Sequence, residues 1–329
     1  MRYLHYSVQQ TAICQGVAHE RKLITIVIPC LNEQQSISTL YYELKNVQKE
    51  MPRNYRWETL FVDDGSNDQS LDIIKRLCQT DASVKYISLS RNFGHNNALI
   101  AGITHAKGDA VITLDCDLQH PPCLIKKMIA AWSQGYDVIN MVRKGTVSNS
   151  WFKSYSAHCF YLLLKRITAL DLEEGVADFK LYDKKVKTII EDNHEYDLFL
   201  RGIVKWYGFK QVTISYTPNP RLYGKTKYTK TKMLKLAFNA FTSFTIKPLR
   251  LSLGFALIFI TIAIFECCYA LYIRLYTENA VSGWTSLIIL ISLIGASNMF
   301  MLGIIGEYLG RCFMQSKGRP NYIINETNC

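Results

Sequence analysis

The sequence predicts an α/β fold: a Rossmann-like, mostly parallel sheet, followed by an amphipathic juxtamembrane helix and two transmembrane helices. Three observations lead there. Short β-branched apolar runs alternate with amphipathic stretches through the first 142 residues, the pattern of βαβ units. Residues 201–250 hold eleven Lys/Arg and no Asp or Glu, which equals the net charge of +11 of the whole chain. Beyond them, residues 249–306 are almost uncharged.

Each element has its own signal. Leu23–Pro29 (LITIVIP) is a short apolar run closed by proline and reads as a buried parallel strand. An amphipathic stretch from Ser36 to Lys49 follows, then a strand at Thr59–Val62 and a helix at Asp68–Cys78. The alternation continues with strand Val84–Leu89, helix Asn96–Ala106, strand Ala110–Leu114, helix Leu124–Gln134 and strand Asp137–Val142. Residues 149–210 read as helical, with Gly175–Tyr182 an island between two helices. Lys227–Phe244 reads as a basic helix on a membrane surface. Leu249–Ile273 is apolar but carries Arg250 and Glu266, and an acid within a span needs a partner or an interfacial position. Trp284–Gly306 has no charge at all, and its helix would be about 34 Å long, enough to cross a bilayer core.

The domains expected are an extension at 1–22, a catalytic domain at 23–226, a basic juxtamembrane helix at 227–248, spans at 249–274 and 284–306 joined by a loop at 275–283, and a tail at 307–329. Lys247, Arg250, Arg311, Lys317 and Arg319 flank the spans, against Arg274 alone between them. The positive-inside bias therefore places both ends, and the catalytic domain, in the cytoplasm. The first 22 residues lack the apolar core of a secretory signal. Ten scattered cysteines without a C-x-x-C fit reduced thiols. The basic stretch suits anionic headgroups; with no helix-turn-helix, zinc-finger or RRM pattern, nucleic acid is not expected as a partner.

In open parallel sheets, ligands bind beyond the carboxyl ends of the strands. The loops there are PCLNE, DDGSND and DCDLQHPP. Asp115 and Asp117 flank Cys116 at a strand end, where two carboxylates can share a hard divalent cation that also binds diphosphate. Asp63 and Asp64 close another strand; helix capping explains Ser66 or Asp68 but not two adjacent acids, one of which could accept from a nucleobase N–H. Pro29, Asn32 and Glu33 can line the same crevice. No G-x-G-x-x-G or Walker loop is present, so any nucleotide is held by carboxylates, metal and basic side chains. Asp178 is an acid in the apolar island, and Arg221 to Lys227 form a basic loop able to clamp phosphates. His95 and His120 read as loop residues rather than ligands.

PxxNE, DDGS, SRNFG, DxDLQ-PP, GxxDF-L, R-x-x-G-x-T-K and GEYLGR occur in that order. Together they resemble the family 2 glycosyltransferases that load a sugar onto a polyprenyl phosphate. The bactoprenol glucosyltransferases of O-antigen modification are nearest in pattern, and dolichyl-phosphate mannose synthases lie further off. The resemblance implies a GT-A fold, a sugar nucleotide donor (UDP-glucose foremost), Mg²⁺ or Mn²⁺, and inversion at the anomeric carbon. It also implies an undecaprenyl phosphate acceptor in the bacterial inner membrane and a homo-oligomer, with a tetramer among the forms. By position, Pro29, Asn32, Glu33, Asp63 and Asp64 would hold the nucleoside, with Gln119 and Arg143 near the diphosphate. Asp115 and Asp117 would bind the metal, and Asp178 with Asp117 would act at the transfer site. Arg201, Arg221 and Lys227 would meet the phosphates of the lipid acceptor.

His120 stands where Asp is common in that group, Lys180 where Arg is usual, Leu31 where an aromatic is frequent, and Asn96-Asn97 where a more charged pair is found. The Q-x-x-R-W motif of processive synthases is absent, which favours transfer of one sugar. Two other readings fit the same residues: a mannose synthase or transferase of another UDP-sugar, and a silent membrane scaffold or flippase subunit. The paired acids Asp115 and Asp117 argue against the last.

Overall fold

The computed structural model describes residues 21–144, 176–196, 198–220, 247–276 and 283–329. The expected basic helix at Lys227–Phe244, with Arg221 and Lys227, lies outside them, as do most of the expected N-terminal extension and the helical stretch at 149–174.

Eight strands form one sheet in the order β7-β5-β6-β4-β1-β2-β3-β8. Its first half is β1 (Lys22–Cys30), α1 (Ile37–Glu50), β2 (Tyr55–Asp63), α2 (Ser70–Thr80), β3 (Val84–Leu89), α3 (His95–His105) and β4 (Ala110–Thr113). After β4 come a short 3₁₀ turn at Pro122–Leu124, α4 (Ile125–Ser133) and β5 (Val138–Arg143). β1 pairs in parallel with both β2 and β4, and β2 with β3. The chain therefore leaves β1 in one direction and returns to its other side, and the crevice at this reversal is where such sheets bind ligands. The β1 run is buried from Ile24 to Cys30, as a strand covered on both faces must be. Gly102 lets α3 lie close to the sheet, since a Cβ there would come 2.2 Å from Val27 Cγ1.

Three strands were not expected. The Gly175–Tyr182 island is a strand, β6 (Val176–Asp183), antiparallel to both β4 and β5. Its apolar residues alternate poorly because it is buried on both faces, so it carries no period-2 signal. α5 (Lys184–Asp192) and α6 (Leu200–Trp206) follow, then β7 (Gln211–Tyr216), parallel to β5. The third is in the expected tail, where β8 (Ile324–Thr327) lies antiparallel on the edge of β3.

Two long helices precede β8: α7 (Lys247–Tyr276) and α8 (Trp284–Ser316). They pack together, with the rings of Phe255 and Phe300 edge to face and centroids 6.1 Å apart. α8 continues ten residues past the end expected at Gly306 and takes in the GEYLGR segment. Among the described residues, the stretch Leu293–Ser316 is long and apolar enough to cross a membrane. Leu257, Ile264, Phe265, Ile291, Met299 and Leu302 are exposed along the two helices.

Candidate functional site

The register of the sheet assembles the site. In the β4–β6 ladder Thr113 faces Lys180. Carrying that antiparallel register two residues further sets Asp115 opposite Asp178, though 63 residues separate them in sequence. Thr113 Oγ1 donates to the carbonyl of Asp178 at 2.5 Å and holds this junction closed. On the far side, Arg143 of β5 pairs with Tyr216 of β7, which brings both to the end of β4.

Asp178 is gripped by Arg201 from α6. Arg201 Nε donates to Oδ1 and Nη2 to Oδ2, each at 2.7 Å. Burial alone would raise the Asp178 pKa, but the Arg201 charge and hydrogen bonds, helped by His95, hold it well below the ordinary carboxylate range. Asp178 is thus a fixed negative charge.

His95, the first residue of α3, stands between the two acids. Its Nε2 lies 3.4 Å from Asp178 Oδ2 and 3.5 Å from Asp115 Oδ1. Desolvation disfavours the imidazolium, yet the hydrogen bond to Asp178 and the charges of both acids outweigh it, and the pKa is pushed up to about 9. Asp115 meets a second imidazole from inside: His120 Nε2 lies 3.0 Å from Asp115 Oδ2. Burial raises the Asp115 pKa, but the His120 hydrogen bond and the His95 charge turn the net shift downward.

The sequence reading placed His95 and His120 as loop residues rather than ligands. His120 does lie in the loop after β4, whereas His95 opens α3, and the structure sets both against Asp115. The signal for His95 was its place directly after the SRNFG turn, and for His120 its place five residues beyond Asp115 in the same loop.

Asp63 and Asp64, expected to hold the nucleoside, both make hydrogen bonds within the fold. Asp64 Oδ1 accepts from the Phe93 N–H at 2.7 Å and Oδ2 from the Gly94 N–H at 3.0 Å. It thereby clamps the turn that delivers His95. Asp63 accepts from the Ser66 N–H at 3.3 Å and the Ser88 hydroxyl at 3.5 Å. Both acids are buried, and burial pushes both pKa values up against those hydrogen bonds. Gly65 is required between the loops: its φ is +71°, and a Cβ would come 2.6 Å from the Arg91 backbone.

Asn32 has a φ of 54° and accepts from the Asn67 N–H at 2.8 Å, while its own N–H donates to Ser66 Oγ at 3.0 Å. The Glu33 N–H donates to Ser70 Oγ at 2.8 Å, and the Glu33 carboxylate accepts from the Ser36 hydroxyl at 2.8 Å. Pro29, paired with Val62, is buried one residue before the end of β1. These residues lace the β1 and β2 loops into one wall of the crevice. Gln119 bridges the other wall: its N–H donates to Asp117 Oδ1 at 3.1 Å and its carbonyl accepts from the Asn219 N–H at 3.0 Å. Leu118 between them has a φ of 61°. So Asp115, Asp178, Arg201 and Arg143 come together, and Asp117 with Gln119 sits on the adjoining turn.

The donor set suits a hard divalent cation. Asp115 Oδ1 is buried and makes no hydrogen bond, facing His95 Nε2 only across 3.5 Å, and a cation would satisfy it. Among the described residues no group of three or more His, Cys, Asp or Glu is arranged around one point. Mg²⁺ and Mn²⁺ sites often need fewer, because one or two carboxylates share the ion with substrate phosphates. Asp115 and Asp117 would hold it here.

A mostly parallel α/β sheet with paired acids at the switch-point strand end forms the ligand crevice of an open α/β sheet, and comparison with known proteins gives the family. The chain belongs to glycosyl transferase family 2, whose sequence profile matches residues 25–189. It is 40% identical over 303 residues to the uncharacterized glycosyltransferase YkcC of Bacillus subtilis, covering 92% of this chain and 93% of that one. It is 35% identical over 301 residues to the bactoprenol glucosyl transferase of Shigella phage SfV, covering 92% and 97%. Among solved structures, S. aureus TarS 1-349 in complex with UDP-GlcNAc aligns at 18% identity with a TM-score of 0.46, covering 67% of this chain and 65% of that one.

Proposed function

We propose that this glycosyltransferase moves a single hexose, from UDP-glucose or a related sugar nucleotide, to polyprenyl phosphate at the inner face of a bacterial membrane. The product is a polyprenyl-phosphate sugar for glycan modification at the cell surface. The observation that carries the reading is the facing pair Asp115 and Asp178 at the strand-end crevice, with Asp178 locked as an anion by Arg201. The choice of acceptor draws its support from the bactoprenol glucosyl transferase of phage SfV, similar over nearly the whole chain, and from α7 and α8. We read both helices as spans, which would keep the crevice beside the headgroups where a lipid phosphate lies.

A divalent cation held by Asp115 and Asp117 would neutralise charge on the leaving diphosphate. The chain's own residues do the rest. Arg143, near the β4 end, stabilises negative charge developing on the leaving group. The β1 and β2 loop wall, built on Asn32, Glu33 and the buried Asp63, bounds the nucleoside. Arg221 and Lys227 draw the acceptor phosphate in. That phosphate has a second pKa near about 6 and is largely dianionic at neutral pH, so it attacks the anomeric carbon without a strong base. Asp178, held far below neutrality, orients the reacting groups and takes no proton.

The test is a transfer assay in detergent with undecaprenyl phosphate, Mg²⁺ and a panel of labelled UDP- and GDP-sugars. Label from one UDP-hexose should move into the organic phase, and EDTA should stop it. Transfer from GDP-mannose alone would instead assign a mannose synthase, and no transfer by folded protein from any donor would favour a silent scaffold.

A further inference from the structure

Asp115 is held by a chain of hydrogen bonds that starts three elements away. Tyr216 Oη, at the end of β7, lies 2.5 Å from His120 Nδ1, and His120 Nε2 lies 3.0 Å from Asp115 Oδ2. His120 is wholly buried and packs on Phe179 and Tyr216, with ring centroids 5.3 and 5.8 Å away. Burial pushes the Tyr216 phenol pKa up, so it stays a hydroxyl. The Asp115 carboxylate can only accept, so the imidazole proton facing it sits on Nε2, and Nδ1 of that tautomer accepts from the Tyr216 O–H. Arg143 Nη2 lies further from Nε2, at 3.4 Å, and can only donate, so the 3.0 Å contact with Asp115 is the one that uses the Nε2 proton. With Oδ2 so engaged, Asp115 Oδ1 is buried and makes no hydrogen bond, its one charged neighbour being His95 Nε2 at 3.5 Å, which a cation would displace.

We infer that Tyr216 and His120 form a positioning relay that fixes Asp115 with Oδ1 presented to the divalent cation. The relay rests on the reading that Asp115 is a cation ligand. It gives His120 a role distinct from packing: a ring N–H, not a second acid, faces the Asp115 carboxylate. Outer-shell hydrogen bonds of this kind set ligand orientation, and their loss typically weakens metal binding about 10–100-fold.

The experiment is a Mn²⁺ titration of the full-length protein in detergent, followed by electron paramagnetic resonance of free Mn²⁺, with and without UDP. Thermal midpoints are taken on the same samples. Wild type should bind Mn²⁺ and Asp115→Asn should lose it. Tyr216→Phe, which removes one hydroxyl, should raise the dissociation constant about tenfold. His120→Gln, which keeps a donor near the Nε2 position, should bind within about threefold of wild type, by the same rule that preserved outer-shell contacts preserve affinity. His120→Phe should weaken binding at least as much as Tyr216→Phe, and the Tyr216 change should add little in that background, as expected of residues acting through one another. If His120→Phe does not fold, Tyr216→Phe and His120→Gln still decide the matter. Unchanged Mn²⁺ affinity in Tyr216→Phe, with Asp115→Asn inactive in binding, overturns the relay and leaves the cation site standing. Mn²⁺ binding by Asp115→Asn equal to wild type, or none by wild type with UDP present, overturns both.

Discussion

Arg201 binds Asp178 side-on through two hydrogen bonds of 2.7 Å, so an acid on β6 and a base on α6 act as one charged unit at the mouth of the crevice. Bidentate geometry of this kind is stronger and more directional than a single contact. Because it fixes Asp178 as an anion, it separates two roles that a lone carboxylate could play.

Asp178→Asn should reduce the turnover number by about 100-fold, the scale of losing one preorganised electrostatic contact. The pH dependence of its residual activity should match that of wild type, following ionisation of the acceptor phosphate near about pH 6. A pH–rate profile that loses a limb in Asp178→Asn would make Asp178 a proton acceptor instead.

Arg201→Met should leave the Asp178 carboxylate with His95 as its remaining charged partner and cost about 2–3 kcal/mol in a urea unfolding series. This is less than for a fully buried pair, because the Arg201 side chain is one-third exposed. The sign follows from the depressed Asp178 pKa. The stabilisation of wild type over this variant should be full above the ordinary carboxylate range and fade as pH falls through the native pKa.

His95 titrates in the other direction. With a native pKa of about 9, its stabilisation is complete below the unfolded value and is lost as pH rises through about 9. In the metal-free protein, NMR of the imidazole should show this raised pKa, and Mg²⁺ should lower it by competing for Asp115. An unchanged titration on adding saturating Mg²⁺ with UDP would place the ion elsewhere.

Asp64→Ala removes two acceptors from the turn at Phe93 and Gly94. The unfolding free energy should fall by about 1–3 kcal/mol, the cost of leaving buried donors unpaired. Hydrogen exchange at the Phe93 and Gly94 amides should speed up. Protection equal to wild type would show that the turn holds without Asp64.

Deleting residues 320–329 should uncover the β3 edge. β8 covers it, with Lys75 paired to Glu326 at 2.5 Å and the Tyr86 N–H donating to Asn328 at 2.7 Å. An open strand edge invites pairing with other chains, so the truncated protein should aggregate on gel filtration in detergent. A monodisperse truncated protein with the wild-type thermal midpoint would contradict this.

The first half of the sheet was legible because β1 to β5 alternate with helices in strict order and carry long β-branched runs. β6 and β7 were not. Val176–Asp183 has two acids and a lysine in it, and its pairing with β4 and β5 is long-range, invisible to local periodicity. β8 is four residues long, with half its side chains turned outward, and looked like a tail. At the site, the acids announced themselves at strand ends, but their partners did not. Arg201 was only a phosphate candidate in sequence, yet it lies on α6 where it meets Asp178. His95, His120 and Tyr216 come from three separate segments and converge only through the strand order. Asp64 read as a ligand because adjacent acids at a strand end are hard to explain locally. The structure adds what the sequence could not show, a turn 29 residues away that the same carboxylate clamps.

The most direct test of the account is sugar transfer to undecaprenyl phosphate by purified wild-type protein beside an Asp115→Asn/Asp117→Asn variant of matched thermal stability, with Mg²⁺ and labelled UDP-hexoses. Wild type should carry label into the organic phase, a transfer abolished by EDTA and restored by Mg²⁺, and the variant should transfer about 100-fold less or worse, as befits loss of the charge stabilisation at the leaving group. Equal transfer by the two proteins would contradict it.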